Sequence, residues 1–258
     1  MHLSTLEGKM LNNIREKFIG FVRKASTADE GELKSLRRMV IAVVETIGAK
    51  NFVTLTADIL KKDFCIEGCN DMRQPLKRIF TISLEELRQD LSKDIYVKLG
   101  EHPIHLLSVD HRDNIERLMA LNSSLDNTDS ISYEELRNKF DQFDTYRNEL
   151  ELHIKKEEEV LFPLLEERGM AEHPNSLKAE HKEFKEILVE ASDEFKDAIA
   201  KKRTLKDERF TKFRKELVPA ISNHIFRETH IFYPAALEFV TDKGQWDDVR
   251  KKFGLIRI

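Results

Sequence analysis

The chain has 258 residues, 35% of them charged, a net charge of −4, and only nine glycines and six prolines. So few turn-formers argue against a sandwich or propeller, and a charged fraction above the usual ~25% suits long amphipathic helices with solvated outer faces. The 40% of hydrophobic residues suffices for a sizeable core, and the near-neutral balance forces neither a nucleic-acid nor a membrane partner. No apolar run approaches the ~18 residues of a membrane span, and two cysteines make no disulfide framework, so the expectation is a soluble, cytoplasmic, helical protein.

Leu3, Leu6, Met10, Leu11, Ile14, Phe18, Phe21, Val22 and Ala25 step by three and four and predict a first helix. Asp29 with Glu32 reads as a capping pair ahead of a second helix, whose stripe of Leu33, Leu36, Val40, Val43, Val44 and Ile47 stops at Gly48. Residues 51–64 are ambiguous, because Val53, Leu55 and Thr56 also suit a strand. Ser83 and Glu86 open a helix that the pattern carries to Leu99, where Gly100 ends it. Punctuation alone sets a boundary there, giving a helical N-terminal domain over 1–100 whose role the residues do not indicate. Four longer helices are predicted at about 103–125, 132–168, 174–202 and 204–240. Short connections make an up-down four-helix bundle the expected architecture of 101–243. Residues 244–258 read as a C-terminal tail or short helix, with Trp246 as its docking anchor.

The second region repeats itself. HIKKEEEVLFP from His153 aligns without gaps to HIFRETHIFYP from His224, sharing His, Ile, a base at +3, Glu at +4, an aromatic at +9 and Pro at +10. Upstream, Asp110-His111-Arg112-Asp113 matches Glu180-His181-Lys182-Glu183, and Glu101-His102-Pro103 matches Glu172-His173-Pro174. His111 precedes His153 by 42 residues, and His181 precedes His224 by 43. Nine histidines in a glutamate-rich chain give a His-x-x-x-Glu by chance, so the extended match carries the weight rather than the pair itself.

Residues i and i+4 share a helical face, so His153 with Glu157, and His224 with Glu228, can address one point. His111 and His181 from the other two helices complete a site in the bundle core. Four imidazoles and two carboxylates are too many for one tetrahedral zinc. They suit two octahedral-type ions bridged by the carboxylates, with iron or manganese fitting the donors. Surface pairing on two similar hairpins is the competing reading of the same six residues. Leu161, Phe162, Phe232 and Tyr233 are expected as core filling or a pocket wall, and His102 and His173 as helix caps or surface groups. His105 and His230 are expected off the site, Glu158 and Glu159 pointing elsewhere on their helix, and Glu149 either solvated or behind the ligands. Cys65 and Cys69 lack zinc or thioredoxin spacing and read as reduced thiols. No Glu-x-x-His pair, phosphate loop or dinucleotide motif occurs, and the spacing assigns no catalytic residue.

The acidic-His pair near the first and third helix starts, and the His-x-x-x-Glu followed by aromatic-Pro on the second and fourth, resemble the hemerythrin-like (HHE cation-binding) family. Within it, the chain looks most like the di-iron proteins of iron-sulfur cluster repair. The resemblance implies an all-α fold and two non-haem iron ions with an oxo or hydroxo bridge, with manganese or zinc as alternatives. It makes His111, His153, His181 and His224 terminal ligands and Glu157 and Glu228 bridges. It implies a role in cluster repair or the nitrosative and oxidative stress response, with O2, NO or peroxide as ligand and damaged iron-sulfur proteins as partners. The alternative is an O2- or NO-sensing module that signals through its N-terminal helices. Oxygen-carrying hemerythrins have a second histidine four after the third-helix one, where this chain has Lys185, so reversible oxygen carriage is not expected.

Overall fold

The computed structural model describes residues 2–60, 72–125, 132–205 and 211–257. Cys65 and Cys69 lie outside these residues. The described residues are mostly helical and contain no strand. They fall into two compact units, one of residues 1–81, 165–176 and 226–241, the other of 82–164, 177–225 and 242–258.

The first unit is built on α1 (His2–Ala25), α2 (Glu30–Ile47), α3 (Ala49–Leu60) and α4 (Arg73–Phe80). The ambiguous stretch is thus helical as far as Leu60, its residues 61–64 lying outside the described ones, and α4 is a helix that the periodicity did not announce. The predicted capping pair at Asp29 and Glu32 closes both arms of its box at the start of α2. Gly48 then turns the chain with φ +83°, a conformation that costs a residue with a Cβ. That turn presents the first amides of α3 to Glu238, whose carboxylate accepts from Ala49 N at 2.9 Å and Lys50 N at 3.1 Å. A negative charge is well placed there, against free N–H groups and the positive helix end. The Arg78 guanidinium donates to the carbonyls of Ala25, Ser26 and Ala28, at and just after the C-terminus of α1.

His173 belongs to this unit and does not serve as a cap. Its Nε2 donates to the Val53 carbonyl at 3.2 Å, and burial pushes its pKa down to about 4. The folded pKa lies below the unfolded value, so the neutral ring contributes its full stability above about pH 6.5 and loses it as pH falls toward 4. The ring is partly exposed, so the expected loss is about 1–2 kcal/mol at pH 5. Denaturant titrations at pH 7 and pH 5 should show a steeper loss for the native chain than for His173→Gln. Equal slopes would remove His173 as the source.

The second unit begins with α5 (Leu84–Leu91), where Ser83 Oγ accepts from Glu86 N at 3.2 Å. The helix does not run to Leu99 as its sequence pattern suggests. Asp94 takes φ +41°, and its carboxylate accepts from Arg112 at 2.5 Å and contacts His105 at 3.4 Å. These partners come from the next long helix and lie beyond the reach of local periodicity. A short 3-10 turn at Val97–Leu99 leads into α6 (Pro103–Ser124), whose first turn His102 caps through Ile104 N. The predicted box at Ser132 and Glu135 closes at the start of α7 (Tyr133–Lys156).

Behind α7 come a π turn (Glu157–Leu161) and α8 (Phe162–Glu167), then α9 (Glu172–Lys201). The last long run comprises a π turn (Phe213–Leu217), α10 (Val218–Arg227), a second π turn (Glu228–Phe232) and α11 (Tyr233–Phe239). Proline explains all three π turns. Phe162, Val218 and Tyr233 donate their N–H five residues back, to Glu157, Phe213 and Glu228, and each is followed by a proline. A mid-helix proline has no N–H for the carbonyl four residues back and clashes with it, and the wider turn relieves both. Two of the turns start on the paired glutamates, so the duplicated proline shapes the backbone where the duplicated carboxylates stand.

The four long runs form an antiparallel bundle. Phe143, Phe195 and Phe213 fill its core with centroids 5.2 and 5.8 Å apart, about three to four turns along the helices from the histidines. The closing helix α12 (Lys243–Phe253) docks as expected, with the Trp246 ring 4.4 Å from that of His102. Among the described residues no single helix is long and apolar enough to cross a membrane.

Candidate metal centre

Each hairpin of the bundle contributes one pair of facing imidazoles. His111 on α6 meets His153 on α7 with Nε2 to Nε2 at 3.1 Å, and His181 on α9 meets His224 on α10 at 2.9 Å. Glu157 stands one turn after His153, and its Oε2 lies 3.6 Å from the Nε2 of His153 and 3.5 Å from that of His181. One carboxylate therefore reaches both pairs. Glu228 stands one turn beyond His224 on the same unbroken helix, which by itself sets the position of the carboxylate. The ligand atoms of His111, His153, Glu157 and Glu228 all lie within 4.8 Å of one another, as do those of Glu157, His181, His224 and Glu228. All six residues are at most 4% exposed, which rules out solvated surface pairs.

The outer ring nitrogens explain why the inner ones converge. His224 Nδ1 lies 2.9 Å from Glu180 Oε2, and His181 Nδ1 lies 2.9 Å from Glu158 Oε1. His153 Nδ1 lies 3.4 Å from Asp110 Oδ2, which also accepts from Lys156 at 2.6 Å. An ionised carboxylate only accepts, so each of these Nδ1 atoms carries the proton, which leaves Nε2 as the ring atom able to turn a lone pair inward toward an ion. Two inward lone pairs facing each other at 2.9 Å repel unless a cation sits beside them. Buried carboxylates likewise need positive charge nearby. The donor set therefore fits metal ions, and the carboxylates behind the imidazoles are the arrangement that orients metal-binding histidines.

Burial alone would raise the carboxyls of Asp110 and Glu158, but His153 with Lys156, and His181 with Lys185, hold both below their ordinary value. Glu158 thus does not point away from the site as its place on the helix suggested. A residue beside an inward ligand in a bundle faces the neighbouring helix, and here that neighbour offers the back of His181. Asp110 and Glu180 were visible in sequence as the acidic residue before each histidine. Each serves the histidine of the partner helix, which spacing within one helix does not indicate.

The remaining expectations divide. Phe162 lies parallel to the His181 ring, 10° between planes and 5.8 Å between centroids, so it forms a wall of the site as well as filling core. Glu149 pairs with Arg117 on the surface and His105 contacts Asp94, both away from the cluster. His230 packs on Phe226 at 4.5 Å. Beside the histidines, Asn114, Leu150, Phe184 and Ile221 enclose a space of about 10 Å³, room for about one water. A larger groove of about 360 Å³, lined by Arg88, Leu91, Arg112 and Glu116 among others, opens outside the bundle and shares no residue with the cluster.

A four-helix bundle with buried facing imidazoles and helix-paired carboxylates defines a cation-binding helical protein. The comparison with known families agrees: residues 102–236 match the hemerythrin HHE cation binding domain, and the chain belongs to that family. No curated protein and no solved structure matches it.

Proposed function

We propose that this chain holds two non-haem iron ions between its two hairpins and uses them on a small ligand such as O2, NO or peroxide, in iron-sulfur cluster repair or defence against nitrosative and oxidative stress. The observation that carries the reading is Glu157, whose carboxylate reaches both imidazole pairs at 3.5–3.6 Å and so suits a bridge between two ions. Glu228 is its counterpart on the opposite helix, and His111, His153, His181 and His224 are the terminal ligands. Two bound irons would supply redox capacity and an open position for the small ligand. Asn114, Leu150, Phe184 and Ile221 limit that ligand to a few atoms, since the space beside the histidines is only about 10 Å³. Phe162 and the buried core keep bulk water from the imidazoles. A damaged iron-sulfur protein would be the partner in a repair role.

One observation favours the sensing alternative. The helix that carries His224 continues without a break as far as Phe239, and residues 226–241 belong to the same compact unit as residues 1–81. A change around His224 would be felt along that helix by the N-terminal elements.

Mixing the di-ferrous protein with oxygen and then degassing decides between the readings. Four imidazoles shared by two ions predict rapid, irreversible oxidation, with NO and peroxide also consumed. A coloured adduct that returns fully to the ferrous spectrum under vacuum would move the assignment to reversible binding or sensing.

A further inference from the structure

The layer next to the histidines takes one residue from each long helix of the bundle. Asn114 follows His111 by three residues and Phe184 follows His181 by three, while Leu150 precedes His153 by three and Ile221 precedes His224 by three. All four line the space of about 10 Å³ beside the imidazoles. Glu157 stands four residues beyond His153 in the other direction, so carboxylate and space fall on opposite sides of the histidine layer. Ile154 and Ile225 complete the wall. Apart from the histidines, Asn114 is the one polar side chain among the described residues that line it.

The duplication shows that the fold does not require an amide at this place. The counterpart of Asn114 in the second hairpin is Phe184, which packs edge-on against His224 with centroids 5.1 Å apart. Asn114 is 3% exposed, and its Oδ1 has no hydrogen-bond partner among the described residues. An unpaired carboxamide in a core costs stability that an apolar side chain of the same shape would not. What can partner it is a molecule that enters the space beside it.

Apolar walls accept O2 or NO without a hydrogen bond and penalise a ligand that carries negative charge or an O–H group. One carboxamide changes that balance, because its Nδ2–H donates to an anionic atom and its oxygen accepts from an O–H. We propose that Asn114 contacts the small ligand directly and selects a hydrogen-bonding ligand of the peroxide type over neutral O2 and NO. A hydrogen bond to a charged group strengthens binding by roughly ten- to a hundredfold. The inference rests on the two-ion reading above and names the class of ligand that the side away from Glu157 takes.

The test uses cyanide, a two-atom anion that accepts hydrogen bonds, titrated into the iron-loaded, oxidised full chain and followed by visible absorption and infrared spectroscopy. Asn114→Leu keeps the shape of the side chain and Asn114→Ala adds room. Both should bind cyanide roughly ten- to a hundredfold more weakly than the native chain. The C–N stretch of the bound anion should shift on exchange into D2O in the native protein and stay unchanged in Asn114→Leu. Both variants should keep two irons and native helix content, because Asn114 is not among the ligands. Native affinity in Asn114→Ala, a native C–N stretch that ignores D2O, or loss of iron from either variant overturns the proposal while sparing the two-ion reading. A native stoichiometry other than two overturns that reading and the inference with it.

Discussion

Glu157→Gln is expected to cut iron loading from two ions per chain to one or fewer, with the bundle still helical. Glu157 is fully buried, and one of its oxygens stands within 3.6 Å of imidazoles from both hairpins. Gln keeps the shape but removes the charge that offsets two divalent ions and the second anionic oxygen needed to join them. Glu228→Gln should act alike, since Glu228 occupies the corresponding place after His224 and is also fully buried. Glu159→Gln is the control, because that side chain is exposed two residues further on. Elemental analysis after anaerobic loading, with the near-ultraviolet charge-transfer band of the oxidised protein, reads the outcome. Equal occupancy in all three variants would show that other carboxylates hold the ions.

Removing the metal should lower the melting temperature by more than 10 °C. Without cations, four histidines and two glutamates stay packed together, each at most 4% exposed, with inner ring nitrogens facing one another at 2.9 and 3.1 Å. An ion bound at a thousandfold excess over its Kd stabilises the native state by about 4 kcal/mol, provided the unfolded chain does not bind it. Two such ions amount to roughly 8 kcal/mol, and a domain of this size shifts by about 2–4 °C per kcal/mol. The rise should be lost in Glu157→Gln and kept in Glu159→Gln. Identical melting with and without metal would mean that the cluster is a polar core element and not a cation site.

The chemistry of the site was largely legible without coordinates. An i, i+4 pair lies on one helical face wherever the helix is placed, so His153 with Glu157 and His224 with Glu228 could be paired from spacing alone. The gapless duplication then matched each pair with an upstream histidine, and the structure brings those six side chains together. Capping signals were equally local, and the boxes at Asp29 and Ser132 close as read. Scarce glycine and proline, with helical periodicity along the chain, determined an all-α fold.

Interactions between elements were a matter for tertiary structure. The end of α5 depends on Asp94 meeting Arg112 and His105 from α6, and no window along α5 contains those residues. His173 looked like a cap beside its proline, yet it donates to Val53, 120 residues away in the chain. Glu158 appeared to point away because periodicity orients a side chain relative to its own helix axis only. Whether that direction meets solvent or the back of another helix's histidine depends on which helix lies alongside. Local spacing therefore sufficed to name the six inward donors, while the packing of α7 against α9, and of each helix against its hairpin partner, decided which carboxylates stand behind them.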